Sequence, residues 1–171
     1  MIACSQSGPT VQPEQTTARG WATRVRNTST TVDTRALLEA HNRYRRAVGV
    51  APLEWSSEVA ASAQRWADEL VATGSFEHSS GPYGENLWSG TAGAFDQQSM
   101  VDSWGSEQQD FVSGKAFPKI CRRHWSECGH YTQIVWRSSK RLGCGLSRGS
   151  GLDYLVCQYD PPGNMQGVKP Y

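Results

Sequence analysis

Two imidazoles and two carboxylates carry the chemistry this chain could perform. His78 and Glu85 lie in the segment HSSGPYGEN, Glu107 follows Trp104 by three residues, and His130 heads the run HYTQIVW. Histidine and glutamate together can ligate a divalent metal or exchange protons as general acid and base. Spacing alone does not force the four together, since no HExxH motif is present and four such residues can also be scattered over a surface. A serine nucleophile has less behind it: there is no GxSxG, and the serines fall in loops, where serine is expected. His41 reads as a satisfied histidine on a helix face, and His124, beside Arg122 and Arg123, as an exposed one.

The elements that must position these groups can be read from periodicity. Asp33 is an N-cap for a first helix carrying Leu37, His41, Tyr44 and Val48 at helical spacing, stopped by Gly49. A second helix starts at Ser56 or Ser57, presents Val59, Ala60, Ala63, Trp66, Ala67, Leu70 and Val71 as one apolar stripe, and ends at Gly74. Met100, Val101, Trp104 and Phe111 predict a shorter third helix over 96–111, weakened by Gly105. Between the second and third helices FEHSSGPYGENLWSGTAG reads as a glycine-rich loop, and 112–128 as another long loop. Three strand-like runs follow at 131–137, 141–148 and 152–159. Helices first and an antiparallel meander afterwards predict an α+β fold, and no phosphate-binding GxxxxGK[ST] or GxGxxG stands in a strand–helix context.

The 171 residues predict one domain with a tail: a linker over 1–31, rich in Thr, Ser, Gln, Gly and Pro, and a folded part over 32–171. A net charge of +1 offers no basic field for nucleic acid, and no run approaches the roughly 20 apolar residues of a membrane span. The five cysteines form no CxxC pair. Cys144 and Cys157 are symmetric about Ser150-Gly151, so a two-residue hairpin turn would place them opposite each other and allow a cross-strand disulfide. Cys121 and Cys128 are spaced to close a short loop. Two disulfides predict an oxidising, extracytoplasmic setting. Cys4 is left over. Ile-Ala-Cys-Ser has the form of the end of a lipoprotein signal, which would make Cys4 a lipid anchor, and an unpaired thiol in a tail is the competing reading.

A resemblance ties these segments together. HNRYRRAVGVAPLEWSSEVAASAQRWADEL, HSSGPYGENL, SWGSE, CGHYTQIVWRSSKRLGCG and YLVCQYDPPGN occur in the order seen in the CAP superfamily of cysteine-rich secretory, antigen-five and pathogenesis-related proteins. The match spans about residues 34–171. The pattern is most similar to the pathogenesis-related branch and its microbial relatives. The resemblance implies a three-layer α–β–α sandwich with a central antiparallel sheet and a cleft. It also implies that His78, Glu85, Glu107 and His130 line that cleft and can bind a divalent cation such as zinc. On this reading His130 faces the wet cleft while Ile134 and Trp136 continue a strand into the packed layer, and Tyr131 and Gln133 support the site.

Three functions follow as expectations. The first is a secreted or surface-tethered protein, without turnover, that binds a small apolar ligand such as a sterol or fatty acid beside a metal-binding cleft. Phe111, Phe117 and Trp125 would be its ligand loop, although the Cys121–Cys128 bridge would pin a segment that is mobile in sterol-binding relatives. The second is a metal-dependent hydrolase using the same four residues, with a glutamate as general base. The third is a precursor from which the C-terminal peptide PPGNMQGVKPY, residues 161–171, is released as a signal; the bland counterpart is a tail that packs back on the fold.

Overall fold

The computed structural model describes residues 30–171; Cys4 and most of the 1–31 linker lie outside the described residues. The chain runs α1 (Thr34–Ala47), β1 (Glu54–Trp55), α2 (Ser57–Thr73), β2 (Gly84–Thr91), α3 (Gln97–Gly105), α4 (Gly129–Ile134), β3 (Arg141–Gly149) and β4 (Leu152–Asp160). A 3-10 turn, Ser106–Asp110, continues from α3, and a second, Trp125–Glu127, precedes α4. Among the described residues no helix is long and apolar enough to cross a membrane.

Local chemistry accounts for the first two helices. Asp33 caps α1 through its side chain, which accepts from the Ala36 N–H at 3.0 Å. Ser56 caps α2 by accepting from Val59, and Gly74, at φ 68°, ends it in the left-handed conformation that glycine adopts without penalty.

The four strands form one sheet in the order β1-β3-β4-β2, antiparallel except where β1 runs parallel to β3. Ser150 and Gly151 both have positive φ at the β3–β4 hairpin, and Cys144 pairs with Cys157 in register. The expected disulfide joins them, and a second joins Cys121 to Cys128.

Alternation along β4 sorts the core into two layers. Leu155, Cys157 and Tyr159 face α1, α3 and α4, packing with Leu37, Val101, Trp104 and Ile134. Tyr154 and Val156 face α2, packing with Ala63, Ala67 and Leu70. On the α2 face Gly143 and Gly145 let the helix backbone lie directly on β3: a Cβ at either would overlap Ala60 or Gln64 main-chain atoms. The result is the expected α–β–α sandwich.

Three details differ from the sequence reading. Residues 131–137 are not a strand; 129–134 form α4, and the buried run Ile134-Val135-Trp136 carries it into a turn. An apolar run buried on all sides has no period by which helix and strand can be told apart. The GENLWSGT stretch, read as loop, is strand β2, paired along its whole length with β4. The third helix stops at Gly105 instead of reaching Phe111, and the chain tightens into the 3-10 turn that carries Glu107.

Candidate functional site

The two histidines are held in the same way by two unrelated parts of the chain. His78 lies in the connection between α2 and β2, a segment tied to α2 by Trp66 Nε1 donating to the Glu77 carbonyl at 3.0 Å. Its Nδ1 is 2.8 Å from Oε1 of Glu85, the second residue of β2. That same oxygen accepts the Ser79 backbone N–H, and Oε2 accepts the Ser79 hydroxyl and Gln158 Nε2 at 2.9 Å. Gln158 is Glu85's cross-strand partner in the β2–β4 ladder, so sheet register delivers the amide to the carboxylate. Burial alone would raise the Glu85 pKa; the hydrogen bonds from His78, Gln158 and Ser79 outweigh it and hold the carboxyl below its usual range. The Glu85 side chain is 5% exposed, whereas His78 is 59% exposed.

His130 is the second residue of α4, and its Nδ1 is 2.7 Å from Oε1 of Glu107. Glu107 Oε2 accepts the backbone N–H groups of His130 at 3.0 Å and Tyr131 at 3.3 Å. The 3-10 turn after α3 thus supplies the first turn of α4 with the acceptor its free N–H groups need. The Trp104 indole stacks on the His130 ring, 18° from parallel, with its own Nε1 donating to the Leu87 carbonyl. Behind them, Asn86 Nδ2 bonds both the His130 carbonyl and the Tyr159 hydroxyl, which lies 2.8 Å from His41 Nε2. His41 gives Nδ1 to the Leu37 carbonyl, so it is the satisfied helix-face histidine expected, and that face is fully buried in the core.

His78, Glu85 and His130 line one cleft of about 160 Å³, together with Asn86, Trp125, Ser126, Gly129 and Asn164. Glu107 stands behind His130 and is not part of the lining. Among the described residues no three His, Cys, Asp or Glu side chains converge closely enough to hold a metal ion between them. The four predicted residues are therefore two His–Glu pairs. All four carboxylate oxygens are occupied by imidazole, amide, hydroxyl or backbone donors, and Nε2 is the ring atom each histidine leaves for a ligand.

The predicted ligand loop divides. Phe111 packs on Tyr131 and Tyr171 against the main core. Phe117 sits 5.7 Å from Trp125, ring centre to ring centre, and of the three only Trp125 reaches the cleft. His124 is exposed, as expected. Sequence reasoning did not single out Asn86, Ser126 or Asn164 as lining, or Gln158 and Ser79 as supports. Gln158, a polar residue inside the expected strand 152–159, was the available signal, whereas Asn86 fell in a stretch read as loop.

The C-terminal residues pack back on the molecule. Gly163 N–H donates to Gln133 Oε1, Asn164 bonds Thr132 and the Gly129 carbonyl, and Val168 and Pro170 carbonyls accept from Phe117 and Arg137. The tail rests on α4 and the 112–128 loop and supplies Asn164 to the cleft wall.

Comparison with known proteins places this architecture. A family model described as the cysteine-rich secretory protein family, CAP, matches residues 38–159. Pathogenesis-related protein 1A of Nicotiana tabacum is 43% identical over 135 residues, covering 78% of each chain. Pathogenesis-related protein 1A1 of Solanum lycopersicum is 46% identical over 134 residues, covering 74% of this chain and 70% of that one. Among solved structures, the crystal structure of NaASP2 with Zn2+ superposes with a TM-score of 0.68 at 27% identity, over 80% of this chain and 83% of that one. Hookworm platelet inhibitor shares the fold, with a TM-score of 0.68 at 24% identity over 84% and 78% of the two chains. The chain is a member of the CAP family.

Proposed function

We propose that this protein is an extracytoplasmic binding protein whose cleft takes a divalent cation on Nε2 of His78 and His130, without turnover. The observation that carries the reading is the paired geometry. A metal-binding histidine commonly gives its other ring nitrogen to a carboxylate, which sets the tautomer and the ring direction, and both cleft histidines do so. The donor set fits zinc by ligand type, with Glu85 and Glu107 orienting the imidazoles. NaASP2, a structural relative, has been solved with Zn2+. Two disulfides support an oxidising compartment.

The hydrolase alternative draws less support. Catalytic zinc usually has three protein ligands, whereas the cleft offers two imidazoles. Every oxygen of the two glutamates already accepts at least one hydrogen bond among the described residues, which competes with a role as general base. An apolar ligand inside this cleft is limited by size: small-molecule pockets run about 300–1,000 Å³, so a sterol or a fatty acid would extend well beyond it. The docked tail weighs against release of residues 161–171, because its departure would strip Asn164 from the cleft wall.

Calorimetric zinc titration of the wild type against the His78→Ala/His130→Ala protein tests the reading. Saturable heat in the first and its loss in the second is the expected result. Indistinguishable heats would sink it.

A further inference from the structure

Five large apolar side chains are conspicuously exposed among the described residues, and three of them gather on one face. They are Trp125, 44% exposed, Met165, 50%, and Val168, 49%. Contacts show that they adjoin. Phe117 packs on Trp125, the Phe117 N–H donates to the Val168 carbonyl, and Val168 N–H closes the turn onto Met165. The remaining two, Phe76 and Phe95, lie against Tyr154 and Trp88 respectively.

The same two segments carry Lys115, Lys119, Arg122, Arg123 and Lys169, all exposed. Arg123 pairs with Glu127, and the Arg122 backbone N–H donates to the Asp110 carbonyl, which brings a second acid close by. Lys115, Lys119, Arg122 and Lys169 form no ion pair among the described residues. A chain of net charge +1 therefore holds a local excess of positive charge around an exposed apolar centre.

We propose that this face, loop 112–125 with the tail turn 165–168, docks on the surface of an anionic lipid bilayer. Tryptophan, methionine and valine can enter the headgroup boundary while the lysines and Arg122 meet lipid phosphates, and neither contribution alone gives firm attachment. A sulfated glycan would satisfy the cations and leave the apolar centre in water, which favours the bilayer. The proposal rests on exposed side chains and charge and is independent of the metal reading. Trp125 belongs to both the face and the cleft lining, so docking would seat the cleft mouth at headgroup level.

The test is co-sedimentation of the full chain, with and without zinc, on phosphatidylcholine vesicles and on phosphatidylcholine–phosphatidylserine vesicles. Binding is expected on the second and not the first, and is expected to weaken as salt is raised. Lys115→Glu/Lys119→Glu should lower it about tenfold or more, and Met165→Ser/Val168→Ser several-fold. Both variants should keep wild-type circular dichroism and wild-type zinc heats, separating failure here from failure of the metal site. Absence of binding to phosphatidylserine vesicles, or binding untouched by either variant, overturns the proposal. So does retention on heparin without vesicle binding, which would mark a polyanion site, or a dimer in sedimentation velocity that buries this face.

Discussion

Glu107 bonds His130 twice: Oε1 lies 2.7 Å from the ring Nδ1 and Oε2 accepts the backbone N–H at 3.0 Å. One carboxylate thus aims the imidazole and caps the helix that carries it. Replacing it should disturb both functions by separable amounts. Glu107→Ala should cost about 1–2 kcal/mol in urea unfolding, the range for losing a helix cap, and weaken zinc about 10- to 100-fold, as loss of a carboxylate behind a metal-binding histidine does. Glu107→Gln, which keeps an acceptor, should restore most of the stability and less of the affinity. Unchanged zinc affinity in both variants would show that the carboxylate does not orient the ring.

His41 makes stability depend on pH. Burial, opposed by its bond to the Leu37 carbonyl and aided by the nearby Arg45 charge, lowers its pKa to about 4 from an ordinary 6.5. Between those values the unfolded chain binds a proton that the folded chain refuses, so stability should fall as pH drops from about 6.5 towards 4. A shift of that size corresponds to a total on the order of 3 kcal/mol. Glu85 acts in a lower window. Its folded pKa is depressed, so its contribution is complete above the unfolded carboxylate value and disappears as pH falls below it. Urea unfolding across the acid range should show both limbs, with His41→Asn flattening the upper and Glu85→Gln the lower. A stability flat from neutrality down to the carboxylate range would contradict the His41 assignment.

Gly145 tests how closely α2 must approach the sheet. A methyl group there overlaps Gln64 main-chain atoms, which cannot rotate away as a side chain could. Gly145→Ala should cost at least about 1–3 kcal/mol, the usual range for overpacking, and should lower the midpoint of thermal unfolding. A wild-type melting profile would mean that α2 slides freely on β3.

Legibility followed the range of the interactions involved. The β3–β4 hairpin could be read because Cys144, Ser150, Gly151 and Cys157 lie within one short segment and each constrains the same register. Helix α2 could be read because Ser56 and Gly74 mark its ends and its apolar stripe has a period. Helix α4 could not. Its acceptor for free N–H groups, Glu107, comes from 23 residues away, and its carbonyls at the far end are met by Arg45, 89 residues from Ile134. Strand β2 was hidden by Gly84, Ser89 and Gly90, which resemble loop composition, while its pairing with β4 is a long-range fact. In the site, residue types singled out the four positions and announced metal or proton chemistry, and the family resemblance implied that they line one cleft. The division into two His–Glu pairs, with the carboxylates saturated by Ser79, Gln158 and backbone donors, depends on sheet register and helix placement.

Arg45 is the least expected part of that placement. It is 1% exposed and pairs with no carboxylate among the described residues; instead Nη1 donates to the Ile134 and Trp136 carbonyls, Nη2 to the Ser139 carbonyl and Nε to the Ala51 carbonyl. Burial lowers its pKa to about 10, offset in part by Tyr159, so it stays charged at neutral pH. A fixed cation at the carboxyl end of α4 complements the carbonyls left open there. Each hydrogen bond to a charged donor contributes about 1.5–3 kcal/mol, and four converge on this one side chain. Arg45→Met should therefore destabilise by at least about 3 kcal/mol. Arg45→Lys should recover only part of that, because an ammonium cannot reach the same four acceptors in the plane of a guanidinium. Since α4 carries His130, the lysine variant should also bind zinc more weakly, although Arg45 lines no part of the cleft. Urea unfolding paired with zinc calorimetry on the lysine variant separates the outcomes. Lower stability with unchanged affinity would confine Arg45 to holding the fold, whereas loss of both would show that the far end of α4 sets the direction of His130.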